Sequence, residues 1–255
     1  MKVLAFLLLL LAPAAECCAQ DRNDYQLTFG LNYSDRARKN SSFRNKESIP
    51  ASFQWQATQN IALTISASLL TSNYPLPGSR ATGRGDATVG ASYRLLNAQE
   101  PLYPFGLTFA YTYKIPTAVK GLGTDQGDHQ FTAIADRKFF DYRVAGEFHA
   151  GALISGLPGG KTSSTPQFAF VETTGLGKLH GPKDSYLWSW LHETDFSPTV
   201  ASNPASVTES NLIQWSPSAF TFVFGPNYAF TPYDSRVGFS VGVYYNGHFG
   251  KKPSN

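Results

Sequence analysis

Cysteine is nearly absent from this chain of 255 residues, and the two that exist, Cys17 and Cys18, stand side by side near its start. From Ala19 onward there is no thiol, which excludes a disulfide-stapled domain and a metal–thiolate centre in that stretch. Charge is scarce as well: Asp, Glu, Lys and Arg make up 15% of the residues, against about a quarter in an ordinary soluble domain. No run of Lys and Arg offers a surface for nucleic acid. No segment has a helical period with caps, and no apolar run reaches the roughly 20 residues of a membrane-spanning helix. Gly and Pro are scattered rather than pooled, so nothing marks a linker between domains. Yet the chain is not oily, because its mean hydropathy is −0.22.

What is present begins with a secretory leader. Lys2 supplies the positive end, Val3–Ala12 the short apolar segment, and "APAAECCAQ" a small-residue cleavage region. Cleavage after Ala19 or Gln20 divides the chain into a signal peptide, 1–20, and one domain, 21–255. Lipid attachment to a cysteine wants a small residue directly before it, whereas Glu16 precedes Cys17 and Cys17 precedes Cys18. Cleavage removes both thiols, which suits a chain that stays unfolded while it crosses an oxidising periplasm.

The segment "YQLTFGLNY", Tyr25 to Tyr33, alternates strictly. Tyr25, Leu27, Phe29, Leu31 and Tyr33 are apolar or aromatic, and Gln26, Thr28, Gly30 and Asn32 are polar or tiny. A period of two is a strand with two unlike faces. The same alternation returns in "SIPASFQWQAT", "NIALTISASLL", "ATVGASYRLL", "PFGLTFAYTYK", "YRVAGEFHAGALI" and "RVGFSVGVYYN", while "SYLWSWLHE" and "AFTFVFGPNYAF" are rich in aromatics. Strands of about ten residues are long enough to cross a bilayer when tilted. Backbone groups in a bilayer pair only internally, so such a sheet must close. The fold class expected is therefore all-β: a transmembrane antiparallel barrel, apolar outside and polar inside.

Connection lengths agree with this. The stretches 34–47, 71–86, 115–128, 155–166 and 196–209 are long, whereas "TQN", "KFFD" and the remainder are shorter. Long external loops alternating with short periplasmic turns are the outer-membrane pattern. Taking "WSPSA" (Trp215–Ala219) as a periplasmic turn gives twelve strands, with ten as the alternative count. Tyr25, Tyr33, Tyr103, Tyr113, Tyr142, Trp188 and Tyr245 sit at strand ends as an interfacial girdle would.

The stretch "GRGDATVGASYRLL" (Gly83–Leu96) resembles the G-x-G-D-x-x-x-G-x-x-Y-R-L strand of an outer-membrane family called putative MetA-pathway of phenol degradation. "YKIPTAVKGLGTDQGDHQFTAIADRKF" and "YRVAGEFHAGAL" resemble that family's K-x-P-T piece, its glycine loop and the strands that follow. The resemblance covers roughly 50–245 and is densest over 83–155. It implies a barrel admitting small, often aromatic, compounds, and it transfers no catalytic residue. The family's terminal strand finishes on an aromatic residue, whereas here Phe249 is followed by "GKKPSN".

On the polar face, Thr28, Asn32, Gln54, Gln56, Thr64, Arg94, Thr112, Lys114, Asp136, Arg143, Glu147 and His149 are the candidates to line a lumen, where charges set solute selectivity. The loop "AVKGLGTDQGD" has the length and glycine content to fold inward as a constriction. His192, Glu193 and His149 raise the thought of a barrel hydrolase, but no G-x-S-x-G or comparable spacing singles out a nucleophile, and no enzyme is expected. "GLGTDQG" lacks the third glycine and the helix of a dinucleotide loop. "DQGD" offers too few oxygens for calcium and reads as a solvated turn. "RGD" (Arg84–Asp86) reads as chance. No cofactor or metal is expected. The partners are outer-membrane lipid, the barrel assembly machinery and a small solute. The expected location is the bacterial outer membrane. The expected function is passage of small, including hydrophobic or aromatic, solutes, with a plugged barrel whose loops bind partners as the alternative.

Overall fold

The structure, a computed structural model, describes residues 23–249 apart from 37–44, 77–78, 98–104, 120–121, 123–124, 141–142, 158–160, 181–184, 199–204 and 233–234. The expected signal peptide, 1–20, and Tyr103 and Tyr142 lie outside the described residues.

The described residues form thirteen strands: β1 (Asp24–Arg36), β2 (Asn45–Gln56), β3 (Ile61–Leu76), β4 (Ser79–Gly83), β5 (Ala87–Leu96), β6 (Gly106–Ile115), β7 (Asp128–Phe139), β8 (Val144–Leu157), β9 (Lys161–His180), β10 (Ser185–Ser197), β11 (Ser206–Trp215), β12 (Phe220–Phe230) and β13 (Ser235–His248). Every pairing is antiparallel between neighbours. β1 meets β13 from Asp24↔His248 to Arg36↔Arg236, and β2 meets β3, so the sheet closes. β4 lies on the same side of β3 as β5 and continues that strand outward past the break at 84–86. The wall is therefore a closed twelve-stranded antiparallel barrel, and the "WSPSA" turn joins β11 to β12 as the twelve-strand count requires.

The alternation of the sequence sets the two surfaces. Thr28, Asn32 and Ser34 are 2%, 8% and 4% exposed, and Phe29, Leu31 and Tyr33 between them are 48%, 51% and 39%. Such a surface of large apolar side chains faces lipid, not a core. The buried centre is correspondingly polar, with Ser68, Ser72, Asp86, Asp136 and Asn227 among its members.

Two of the expected long loops are corrected to strand. β3 runs to Leu76 and turns directly into β4, and β8 and β9 meet across 158–160. In "KTSSTP" both faces are polar, with Lys161, Thr162 and Ser164 exposed and Thr165 buried. The sheet continues there although its hydropathy alternation has ended.

Aromatic rings chain along the end of the barrel that carries both termini. Phe53, Tyr25, Phe249, Tyr245 and Phe220 form one run, and Trp188, Trp215 and Phe222 another. Phe249 also donates its backbone N–H to Asn23 O at 3.0 Å, so it completes the closing strand despite the residues after it.

Candidate functional site: a narrow lumen with an inward loop

The inner face is built from rows of paired residues. One row runs Gln26–Gln54–Thr64–Gly90–Thr112–Gln130 through successive registers, so Gln54, Thr64 and Thr112 share one level. Gln26 Nε2 donates to Asn246 Oδ1 at 3.0 Å and Gln130 Nε2 to Gln167 Oε1 at 3.1 Å, which extends this polar row at both ends. A second row runs Thr28–Ser52–Ser66–Thr88–Lys114–Asp128. Asn32 pairs with Ser48 and Ser240 two inward positions further out than Thr28. Gln56 lies at the barrel end, where its side-chain amide donates to Thr58 O at 2.6 Å.

Two ion-pair groups cross the lumen wall. At the end carrying the termini, Arg94 grips Asp136 through Nη2, 2.9 Å and 3.1 Å from the two carboxylate oxygens. Gly106 makes this possible: a Cβ there would collide with both the carboxylate and the guanidinium. At the opposite end Lys114 pairs with Asp128 and stands 3.9 Å from Asp86. The same two carboxylates hold backbone, Asp86 accepting from Ala118 N at 3.0 Å and Asp128 from Gly156 N at 3.2 Å. Asp86 of "RGD" and Asp128 of "DQGD" are thus buried side chains that hold backbone, which corrects the reading of "DQGD" as a solvated turn for Asp128. Only a three-dimensional view shows that Lys114 of "YKIPT" reaches both.

A third group lies on β8 and β10. Glu147 Oε2 and His149 Nε2 are 3.0 Å apart. Glu147 is in register with Val171, which is in register with Glu193, and the three carboxylates Glu147, Glu193 and Asp195 are within electrostatic reach of one another or of His149. The sequence raised Glu193 only toward a hydrolase and did not single out Asp195, because an aromatic-rich strand gave no inward face to them. Val171, between Glu147 and Glu193 in register, forms an apolar cluster with Leu191 and Leu212 on the lumen side. Arg143 departs from its expected place. β8 begins at Val144, so Arg143 stands exposed in the turn, its Nε 3.4 Å from Gly175 O.

The loop between β6 and β7 enters the barrel. Leu122 is 5% exposed and shares a narrow cavity of about 40 Å³ with Thr28, Asn32, Lys46, Ser52 and Ser68. The loop is fastened to the neighbouring wall: Val119 N donates to Arg84 O at 2.9 Å, and Ala87 N to Thr117 Oγ1 at 2.9 Å. A side chain at Gly83 would meet Val119 at 2.8 Å, so glycine is needed for the loop to lie this close. Among the described residues no three His, Cys, Asp or Glu side chains converge as metal ligands.

No protein-family model matches the chain, and no curated protein matches it in sequence, so the resemblance over Gly83–Leu96 rests on those motifs alone. Its fold is shared with solved barrels. The COG4313 outer membrane channel from Pseudomonas putida F1 superposes with a TM-score of 0.66 at 9% identity, over 91% of this chain and 98% of that one. A KdgM porin in complex with oligogalacturonate gives 0.57 at 8%, over 88% and 99%. The β domain of the Bordetella autotransporter BrkA gives 0.53 at 8%, over 89% and 100%. At these identities the likeness is one of fold.

Proposed function

We propose that this chain is a bacterial outer-membrane channel that passes small solutes by diffusion, hydrophobic and aromatic compounds among them. In this reading the leader 1–20 is removed on secretion, the assembly machinery inserts the barrel, and no residue is catalytic. The observation that carries it is the inward loop: a closed wall with a hydroxyl- and amide-lined interior is narrowed by Leu122, as a size-selecting channel requires. The apolar cluster of Val171, Leu191 and Leu212, together with the Gly83–Leu96 resemblance, supports the hydrophobic solute class. The neighbouring carboxylates supply the charge that discriminates ions.

The test is single-channel recording in a planar bilayer with the refolded barrel. Steady conductance steps that grow when residues 119–124 are replaced by a short glycine-serine turn support the channel. A folded, heat-modifiable barrel that stays silent in both forms overturns it. The Arg94–Asp136 and Lys114–Asp128 pairs, which tie down lumen charges, favour a plugged barrel as the second reading, with the external connections as its binding surface.

A further inference from the structure

At its middle, the wall of β9, β10 and β11 departs from the polarity of the rest of the barrel. Its inner face carries the apolar Val171, Leu191 and Leu212. Its outer face carries Glu172 and Thr174 on β9, His192 and Thr194 on β10, and Glu209 and Asn211 on β11, each alternating with an inward neighbour. On every one of the three strands the polar pair is bracketed by apolar side chains: Phe170 and Leu176, Trp190 and Phe196, Val207 and Ile213. Along each strand the patch is therefore flanked on both sides by the apolar side chains of the outer surface.

The registers draw these residues into one block, with His192 opposite both Glu172 and Asn211, and Thr194 opposite Glu209. Asn211 Oδ1 accepts from His192 Nδ1 at 3.0 Å, His192 Nε2 is 3.2 Å from the Thr194 hydroxyl, and Thr174 donates to Glu172 at 3.0 Å. Glu209 has no side-chain partner among the described residues. Polar and ionisable groups facing hydrocarbon are costly unless something in the membrane meets them.

We infer that this face is the contact surface for a second copy of the same chain, packed side by side in the membrane. The occupant must itself lie within the bilayer and present polar groups at the same depth, and this same patch on another copy does both. The block contains carboxylates, an imidazole, an amide and hydroxyls, so a two-fold arrangement sets the acceptors of one copy against the donors of the other, as an isologous interface requires. Its width also fits. Three strands span roughly 10–15 Å, about the strip that two convex barrels can bring together.

The test places the photocrosslinking residue benzoylphenylalanine at Phe170 or Phe196, beside the patch, or at Phe109 on β6 as a control, in cells producing the full chain. The expected product is an adduct of twice the protomer mass from Phe170 or Phe196 and none from Phe109. The variant Glu172→Leu/His192→Leu is expected to remain a heat-modifiable barrel and to lose that adduct by about tenfold. Failure of this variant to fold leaves the wild-type comparison decisive. No adduct at Phe170 and Phe196, an equal adduct at Phe109, or an adduct of another mass overturns the proposal. This experiment reads association without reference to conductance, so it stands or falls separately from the channel.

Discussion

The β12–β13–β1 wall and the β9–β10–β11 wall are built from the same alternation and put it to opposite use. In the first, "FTFVFGPNYAF", "VGFSVGVYY" and "YQLTFGLNY" contain no charged residue, and Phe222, Phe224, Phe239, Val241, Phe29 and Leu31 form an unbroken apolar exterior. In the second, "FAFVETTGL", "WSWLHETDF" and "VTESNLIQW" carry Glu172, His192, Glu193, Asp195 and Glu209, with acids on both faces. Closing the sheet satisfies the backbone equally in both walls. What differs is the medium each face is prepared to meet, so a shared backbone pattern does not imply a shared environment.

The largest expected effect separates the two exteriors. Val241→Lys puts a cation at mid-strand on the apolar wall and is expected to lower stability by about 2–4 kcal/mol, read from urea unfolding in lipid vesicles. Thr194→Lys, opposite Glu209 and diagonal to Glu172, is expected to cost about half of that or less. Equal losses would dissolve the distinction between the walls.

The interiors differ next. Glu193→Lys puts a cation on the lumen side of the charged wall and is expected to shift the reversal potential under a salt gradient toward the anion side. Arg143→Ala, at the turn, is expected to leave it unchanged. A shift of the same size from both variants would return Arg143 to the pathway. The smallest effects serve as the reference. Trp215→Leu and Tyr245→Leu each remove a ring from the girdle, one per wall, and each is expected to cost about 1 kcal/mol. Unequal costs would show that the girdle, too, differs between the walls.

The sequence made the barrel legible because lipid and lumen impose period two on every crossing. It also put Thr28, Asn32, Asp136 and Glu147 on the face where they are buried. It was less informative wherever the period stops reporting the environment. Strand residues 161–165 are polar on both faces and look like loop. Arg143 has the parity of an inward residue but precedes the first residue of β8. Glu172 and His192 interrupt an apolar face, and the pattern averages over them. The Asp86–Lys114–Asp128 group joins positions far apart in the chain, and no spacing announces it.

Leu122 is carried by a loop that is bolted to a different part of the wall from the strands it connects, through Arg84, Asp86 and Ala87 at the break between β4 and β5. Mechanically this is a bracket rather than a free arm: the position of its tip follows the seam to which its base is fixed. A bilayer whose thickness changes the tilt of β5 would move Leu122 with it, so the place of this inward side chain becomes a property of the membrane as well as of the chain.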